Sequence, residues 1–172
     1  MAGKCIIVFG VSGSGKSTIA KAIREKTGGI FLEGDDFHSE ANISKMHSGH
    51  PLNDADRADW LKSIHSKLKE LTDQGKTVVL SCSALKKSYR DTLRAGIEAT
   101  ILVYLKGSFN LIHSWMARRK GHFMPVALLK SQFDTLEEPE KEEYDVIYIY
   151  LQPNLKKEIF QVFEKLNARG FA

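Results

Sequence analysis

One stretch constrains this chain more than any other: Gly10-Val11-Ser12-Gly13-Ser14-Gly15-Lys16-Ser17. It follows the apolar run Cys5-Ile6-Ile7-Val8-Phe9, which reads as a short buried strand. Residues 18–26 come next, with Ile19, Ala20, Ala22 and Ile23 at helical spacing. Strand, glycine-rich loop and helix in that order are the context in which G-x-x-x-x-G-K-[ST] becomes a phosphate-binding loop rather than a turn that happens to carry a lysine. Gly10, Gly13 and Gly15 let the backbone turn its N–H groups inward around an anion, and the helix N-terminus adds partial positive charge at the same place. Lys16 has the reach for β- and γ-phosphates, and the Ser17 hydroxyl suits Mg²⁺. Residues 10–18 (Gly10, Val11, Ser12, Gly13, Ser14, Gly15, Lys16, Ser17 and Thr18) are therefore the expected nucleotide cradle, with ATP and Mg²⁺ as the expected cofactors.

Apolar runs alternate with amphipathic ones along the rest of the chain. Strands are predicted over 30–32, 77–82, 100–105 and 146–150. A helix starts at Asn53-Asp54, carries Trp60, Ile64, Leu68 and Leu71 on one face, and stops at Gly75. Further helical stretches hold Tyr89 and Leu93, then Leu111, Ile112, Trp115 and Met116, then the segment after Pro153. Such alternation predicts an α/β three-layer sandwich, a five-stranded parallel sheet covered by helices on both faces. At 172 residues, 42% hydrophobic and 27% charged, the chain reads as one globular domain over 1–172. A net charge of +4 suits anionic ligands, while scattered basic residues without an aromatic-basic platform argue against nucleic acid. No apolar run approaches the ~18 residues of a membrane span, and the N-terminus leads straight into the first strand, so a cytoplasmic location is expected. Cys5 and Cys82 sit in strand-like runs and read as core thiols.

The second strand ends in Glu33-Gly34-Asp35-Asp36-Phe37-His38. Carboxyl ends of strands in an open parallel sheet line the ligand crevice, which sets these acids opposite the phosphate loop. Like charges so close repel, so structure alone is a poor reason for them, although a solvated turn is the competing reading. The chemical reading assigns Asp35 to take the proton from an attacking hydroxyl and Glu33 to hold Mg²⁺ through water. Asp36 and His38 are further candidates; His38 fits a helix cap or solvent equally well. The third strand ends in Cys82-Ser83-Ala84-Leu85-Lys86-Lys87, without the aspartate of a motor ATPase, and no Asn-Lys-x-Asp motif is present, so the loop is kinase-like. Downstream, Ala117-Arg118-Arg119-Lys120-Gly121-His122-Phe123-Met124-Pro125 suits a lid over about 117–130, with Arg118 or Arg119 closing on the triphosphate. A basic helix C-terminus favoured by the macrodipole is the alternative there.

These segments, joined by Asn42-Ile43-Ser44-Lys45-Met46, Gly49-His50-Pro51-Leu52-Asn53-Asp54-Ala55-Asp56-Arg57, Ser88-Tyr89-Arg90-Asp91 and Gln132-Phe133-Asp134-Thr135-Leu136-Glu137-Glu138-Pro139, resemble gluconate kinases of the shikimate-kinase-like P-loop group over almost the whole length. The resemblance implies a nucleoside-monophosphate-kinase-like fold and phosphoryl transfer from ATP to the C6 hydroxyl of D-gluconate. Lys16, Asp35 and Arg119 are then the catalytic candidates. Asp35, His38, Arg57, Lys86, Arg90 and His122 are the candidates for the acceptor, and Ser17 and Glu33 for the metal. A sugar acid needs a cation for its carboxylate, and Arg57, Arg90 and Lys86 are the available donors. Arg57 fits a structural ion pair as well, and Lys86-Lys87 a solvated helix face. The resemblance further implies that residues 132–139 approach the adenine and that the protein is a homodimer. Residues 137–143 read as an acidic surface loop. Two alternatives stay open: the same apparatus acting on shikimate, a nucleoside monophosphate or adenylylsulfate, and a non-catalytic ATP switch.

Overall fold

The computed structural model describes residues 2–118 and 126–172. Its strands are β1 (Cys5–Phe9), β2 (Ile30–Glu33), β3 (Val78–Ser81), β4 (Thr100–Lys106) and β5 (Val146–Tyr150). They form one sheet in the order β2-β3-β1-β4-β5, each neighbouring pair parallel. The helices are α1 (Lys16–Thr27), α2 (Glu40–His47), α3 (Asp54–Asp73), α4 (Lys87–Arg94), α5 (Phe109–Arg118), α6 (Val126–Thr135) and α7 (Leu155–Ala168), and a 3₁₀ turn spans Gly34–Phe37. From β1 the chain moves outward to β2 on one side and later, through β3, crosses to β4 on the other. A crevice therefore opens at the carboxyl end of β1, where the phosphate loop begins.

β1 has no polar residue because both of its faces are covered. Cys5, Ile7 and Phe9 share a core with Trp60, Ile64 and Leu68 of α3 and Leu93 of α4, while Ile6 and Val8 pack with Ile19 and Ile23 of α1 and Val162 and Leu166 of α7. Burial of each such side chain contributes about 1.5–3 kcal/mol. Burial also pushes the Cys5 and Cys82 thiols up to about 12, which fits core thiols.

The helix boundaries follow the cap chemistry. Gly15 enters α1 at φ 89°, and Gly28 ends it at φ 71° with its N–H on Arg24 O. At the start of α3, Asn53 accepts the Asp56 N–H and Asp56 accepts the Asn53 N–H, a reciprocal capping box. Two helices depart from the sequence expectation. α2 shows no apolar stripe because Asn42 is its one buried residue; its start is fixed instead by Ser39, which accepts the Asn42 N–H. α6 occupies part of the stretch expected to be lid, because Leu128 and Leu129 are buried and Leu129 packs with Val11, Leu85 and Ile112. No described helix is long and apolar enough to cross a membrane.

Candidate active site

At the phosphate end the site is made from contiguous backbone. Gly10 N–H is held by Ser83 O at 3.3 Å, Ser14 Oγ donates to Val11 O at 2.7 Å, and Lys16 Nζ donates to the same carbonyl at 3.1 Å. The first turn of α1 carries no acid, so its positive end is left for an anion. A Cβ built on Gly15 would meet no described atom within 4 Å, so the loop is open there to a ligand. Thr18 is exposed on the first turn of α1.

The metal candidates meet. Ser17 Oγ donates to Glu33 Oε2 at 2.5 Å and lies 3.3 Å from Ser81 Oγ. A hydroxyl and a carboxylate are hard oxygen donors, suited to Mg²⁺. Among the described residues no cluster of three or more His, Cys, Asp or Glu could cage a metal. That sparse donor set fits an ion that keeps several waters and takes substrate phosphate oxygens as its other ligands.

The acceptor end is made from side chains of distant segments. A Cβ on Gly34 would lie 2.7 Å from Ser81 O, so only glycine lets the chain turn off β2 this close to β3. Trp60 Nε1 donates to Gly34 O at 2.7 Å and pins the turn. The His38 ring stacks on Trp60, centroids 4.2 Å apart. Asp35, His38, Arg57, Ser83 and Gln132 then line one cavity together with Ser12 of the phosphate loop; Asp36 is exposed and is not among the lining residues.

Burial holds the His38 pKa below its ordinary value, with Arg57 acting in the same sense and Asp35 opposing it. Asn42 Nδ2 donates to Asp56 O at 2.8 Å and sits 3.5 Å from His38 Nδ1. An amide nitrogen only donates, so Nδ1 is the acceptor and the ring proton lies on Nε2. In its neutral form His38 therefore presents Nε2 as a donor.

The three cations proposed for a carboxylate have three different surroundings. Arg57 donates to Tyr89 Oη at 3.2 Å and lies over that ring, and no acid pairs with it among the described residues. Tyr89 Oη donates in turn to Asp54 Oδ1, and Lys86 Nζ pairs with Asp54 at 3.0 Å. Hydrogen bonds from Tyr89 and then Lys86 hold the Asp54 carboxyl below the usual range. Lys86 therefore stands beside the Arg57–Tyr89 pair, committed to Asp54, and does not line the cavity.

Arg90 corrects the sequence expectation. It is fully buried, and all five of its N–H donors are used, on Glu143 Oε1 and Oε2 and on the carbonyls of Ala84, Leu85 and Glu137, at 2.8–3.1 Å. Its guanidinium also lies 5.0 Å over the Phe9 ring. Nothing is left to grip a substrate. Burial pushes the Glu143 carboxyl up, but the bonds from Arg90 and Arg94 outweigh it and hold it low. The 137–143 stretch is accordingly no mere surface loop: Glu137 accepts the Lys87 N–H at the start of α4, Glu138 pairs with Lys106, and Glu143 is buried. Arg90 instead fastens the turn at Ala84, whose φ of 41° is unusual for a residue with a Cβ, and so shapes the loop that presents Ser83 and Leu85 to the cavity.

Arg119 and His122 lie outside the described residues, as does the middle of the expected lid. Several lining residues were not acceptor candidates in the sequence reading, Ser83, Ser131 and Gln132 among them. Gln132 was expected near the adenine, yet its Oε1 accepts the Ser12 N–H at 2.7 Å, at the phosphate end.

A family model described as an AAA domain matches residues 5–139. The thermosensitive gluconokinase of Escherichia coli (strain K12) is 45% identical over 149 residues, which cover 87% of this chain and 80% of that protein. A sugar kinase from Janibacter sp. HTCC2649, solved without ligand, superposes with a TM-score of 0.91 at 40% identity over 99% of this chain and 98% of that one. A gluconokinase from Sinorhizobium meliloti 1021 superposes with a TM-score of 0.81 at 39% identity over 96% and 97% of the two chains. With a phosphate loop, a hydroxyl–carboxylate pair beside it and a cavity that Ser12 of the loop shares with Asp35, His38 and Arg57, the chain belongs to the gluconokinase family of P-loop kinases.

Proposed function

We infer that this protein transfers the terminal phosphoryl group of ATP to the C6 hydroxyl of D-gluconate, giving 6-phospho-D-gluconate and ADP. The observation that carries the reading is the single cavity joining Ser12 of the phosphate loop to Asp35, His38 and Arg57, in a chain 45% identical to a gluconokinase. Phosphoryl transfer asks a protein mainly to position its reactants and to stabilise spreading charge. The loop amides and Lys16 hold the β- and γ-phosphates. Ser17 would hold Mg²⁺ directly and Glu33 through water, and the ion supplies charge neutralisation between the phosphates. Asp35 takes the proton of the attacking hydroxyl; its support is its place in the cavity beside the loop. His38 Nε2 donates to a substrate hydroxyl. Arg57, with N–H groups beyond the one on Tyr89, receives the carboxylate. Arg119 closes on the transferring group and His122 reaches the acceptor; both roles rest on the sequence resemblance. A homodimer and a cytoplasmic setting belong to the same reading, and light scattering tests the first.

ADP release measured with Mg-ATP and, separately, D-gluconate, shikimate and a nucleoside monophosphate tests the function. Strong stimulation by gluconate alone is expected. Turnover only with another acceptor would keep the phosphate apparatus and discard the acceptor. Silence with all of them, from protein that binds ATP, would favour a nucleotide switch.

A further inference from the structure

Gln132 lies on α6, yet its side chain reaches back 120 positions to the phosphate loop, where Oε1 accepts the Ser12 N–H at 2.7 Å. That bond fixes the amide, because a backbone N–H meets only the oxygen end of it. The Nε2 group, with two donors, is turned away from Ser12 and donates to no described residue. The same side chain lines the cavity shared by Asp35, His38 and Arg57. These groups divide the chemistry of a sugar acid between them. Arg57 is a cation for a carboxylate, Asp35 an acceptor for a hydroxyl proton, and Gln132 a neutral donor for a hydroxyl oxygen. A polyol presents neighbouring hydroxyls that each donate and accept. When one hydroxyl gives its proton to Asp35, the next is the natural acceptor for an amide anchored on the phosphate loop.

We propose that Gln132 determines acceptor specificity by donating from Nε2 to the hydroxyl adjacent to the reacting one, which is the C5 hydroxyl in D-gluconate. Its bond to Ser12 then sets the distance between that hydroxyl and the phosphate loop, so that recognition of the polyol and alignment for in-line transfer are one event. The proposal rests on the reading of D-gluconate as the acceptor. An acceptor lacking the second hydroxyl leaves Nε2 without a partner in the cavity, and such a mismatch is what gives hydrogen-bonding sites their selectivity.

The test crosses two proteins with two acceptors. Wild type and Gln132→Met, a variant of similar length and shape, are assayed with D-gluconate and with 5-deoxy-D-gluconate, and the Kd of a non-hydrolysable ATP analogue is measured for each. Wild type is expected to favour gluconate by about tenfold to a hundredfold in kcat/KM, the worth of a desolvated hydrogen bond. The Met variant should lose that factor on gluconate, lose less than about threefold on the deoxy acceptor, and bind the ATP analogue within about twofold of wild type. Equal losses on both acceptors, or a loss confined to nucleotide binding, would make Gln132 a mere prop for the loop and overturn the proposal. Should the variant fail to fold, the wild-type ratio decides alone, because equal use of the two acceptors leaves Nε2 nothing to recognise. Wild type inert on both gluconates but active on another acceptor would overturn the proposed function itself, an outcome visible without any variant.

Discussion

The two ends of the cavity are built by opposite means. The phosphate end is one contiguous run, residues 10–18, which gathers backbone amides, a helix terminus and the side chains of Lys16 and Ser17 in one place. The acceptor end collects Asp35 and His38 from the turn after β2, Arg57 from α3, Ser83 from the β3–α4 loop and Gln132 from α6. The first kind of site is local and its geometry follows from glycines and a helix start. The second depends on long-range supports: Trp60 on Gly34 O, Asn42 beside His38, and Arg90 under the Ala84 turn. Chemistry at the phosphate end is therefore set by single residues, whereas chemistry at the acceptor end is spread over contacts and their scaffolding.

The largest effect should come from Asp35, the acceptor-end residue read as the proton acceptor. Asp35→Asn keeps the shape of the cavity and removes the proton acceptor, so kcat should fall about 10²–10⁴-fold while ATP-analogue binding is unchanged. A well-folded variant turning over near the wild-type rate would overturn the assignment of Asp35 and leave the two ends without a chemical link.

Next comes the scaffolding. Arg90→Met takes two bonds from the buried Glu143, which keeps Arg94, and frees the carbonyls of Ala84, Leu85 and Glu137, so it should cost about 2–3 kcal/mol in urea unfolding. The double variant R90M/E143L should recover much of that loss, Arg94 retaining Asp145 at 2.5 Å. Wild-type stability in Arg90→Met, combined with a raised KM for gluconate, would restore Arg90 to the substrate and erase the distinction drawn here between contact and support.

That distinction also marks what could be read in the chain. The strand–loop–helix setting of residues 5–26 and the order of strands and helices were legible because each is written in neighbouring residues or in a repeating apolar pattern. Arg90 was misread because its partner Glu143 lies 53 positions away, and no local pattern separates a buried arginine from one facing a ligand. One signal was present: Tyr89 and Leu93 are four apart on α4, and Arg90 sits beside that buried face. The place of Gln132 in the cavity escaped for the same reason, since its tie to Ser12 spans 120 positions. α2 went unseen because it carries no apolar stripe, its position being set by a Ser39 cap and a buried Asn42.

A smaller effect separates Arg57 from Arg90. Arg57→Lys keeps a charge near Tyr89 but loses the planar fork, so KM for gluconate should rise about tenfold, with stability changed by less than about 1 kcal/mol. The unfolding midpoint and KM measured on the same preparation check both halves. A large drop in stability with KM unchanged would make Arg57 a second scaffold residue and move the carboxylate contact elsewhere.

The smallest effect tests whether the acceptor end is coupled electrostatically as well as sterically. His38 is held below its ordinary pKa first by burial and then by Arg57, against the pull of Asp35. Its folded pKa thus lies below the unfolded value of about 6.5. Between those two values the unfolded chain binds a proton that the folded protein refuses. The contribution of His38 to stability is therefore fully present above about pH 6.5 and is lost as pH falls through the folded pKa; His38→Gln should flatten that part of the stability profile. NMR titration of the His38 ring gives the sharper result, because its two charged neighbours act with opposite sign. Arg57→Met removes a cation and should raise the midpoint, whereas Asp35→Asn removes an anion and should lower it further. Shifts of the same sign in both variants would mean that burial on Trp60 alone sets the His38 proton, and that Asp35 and Arg57 act on the acceptor independently rather than through one shared field.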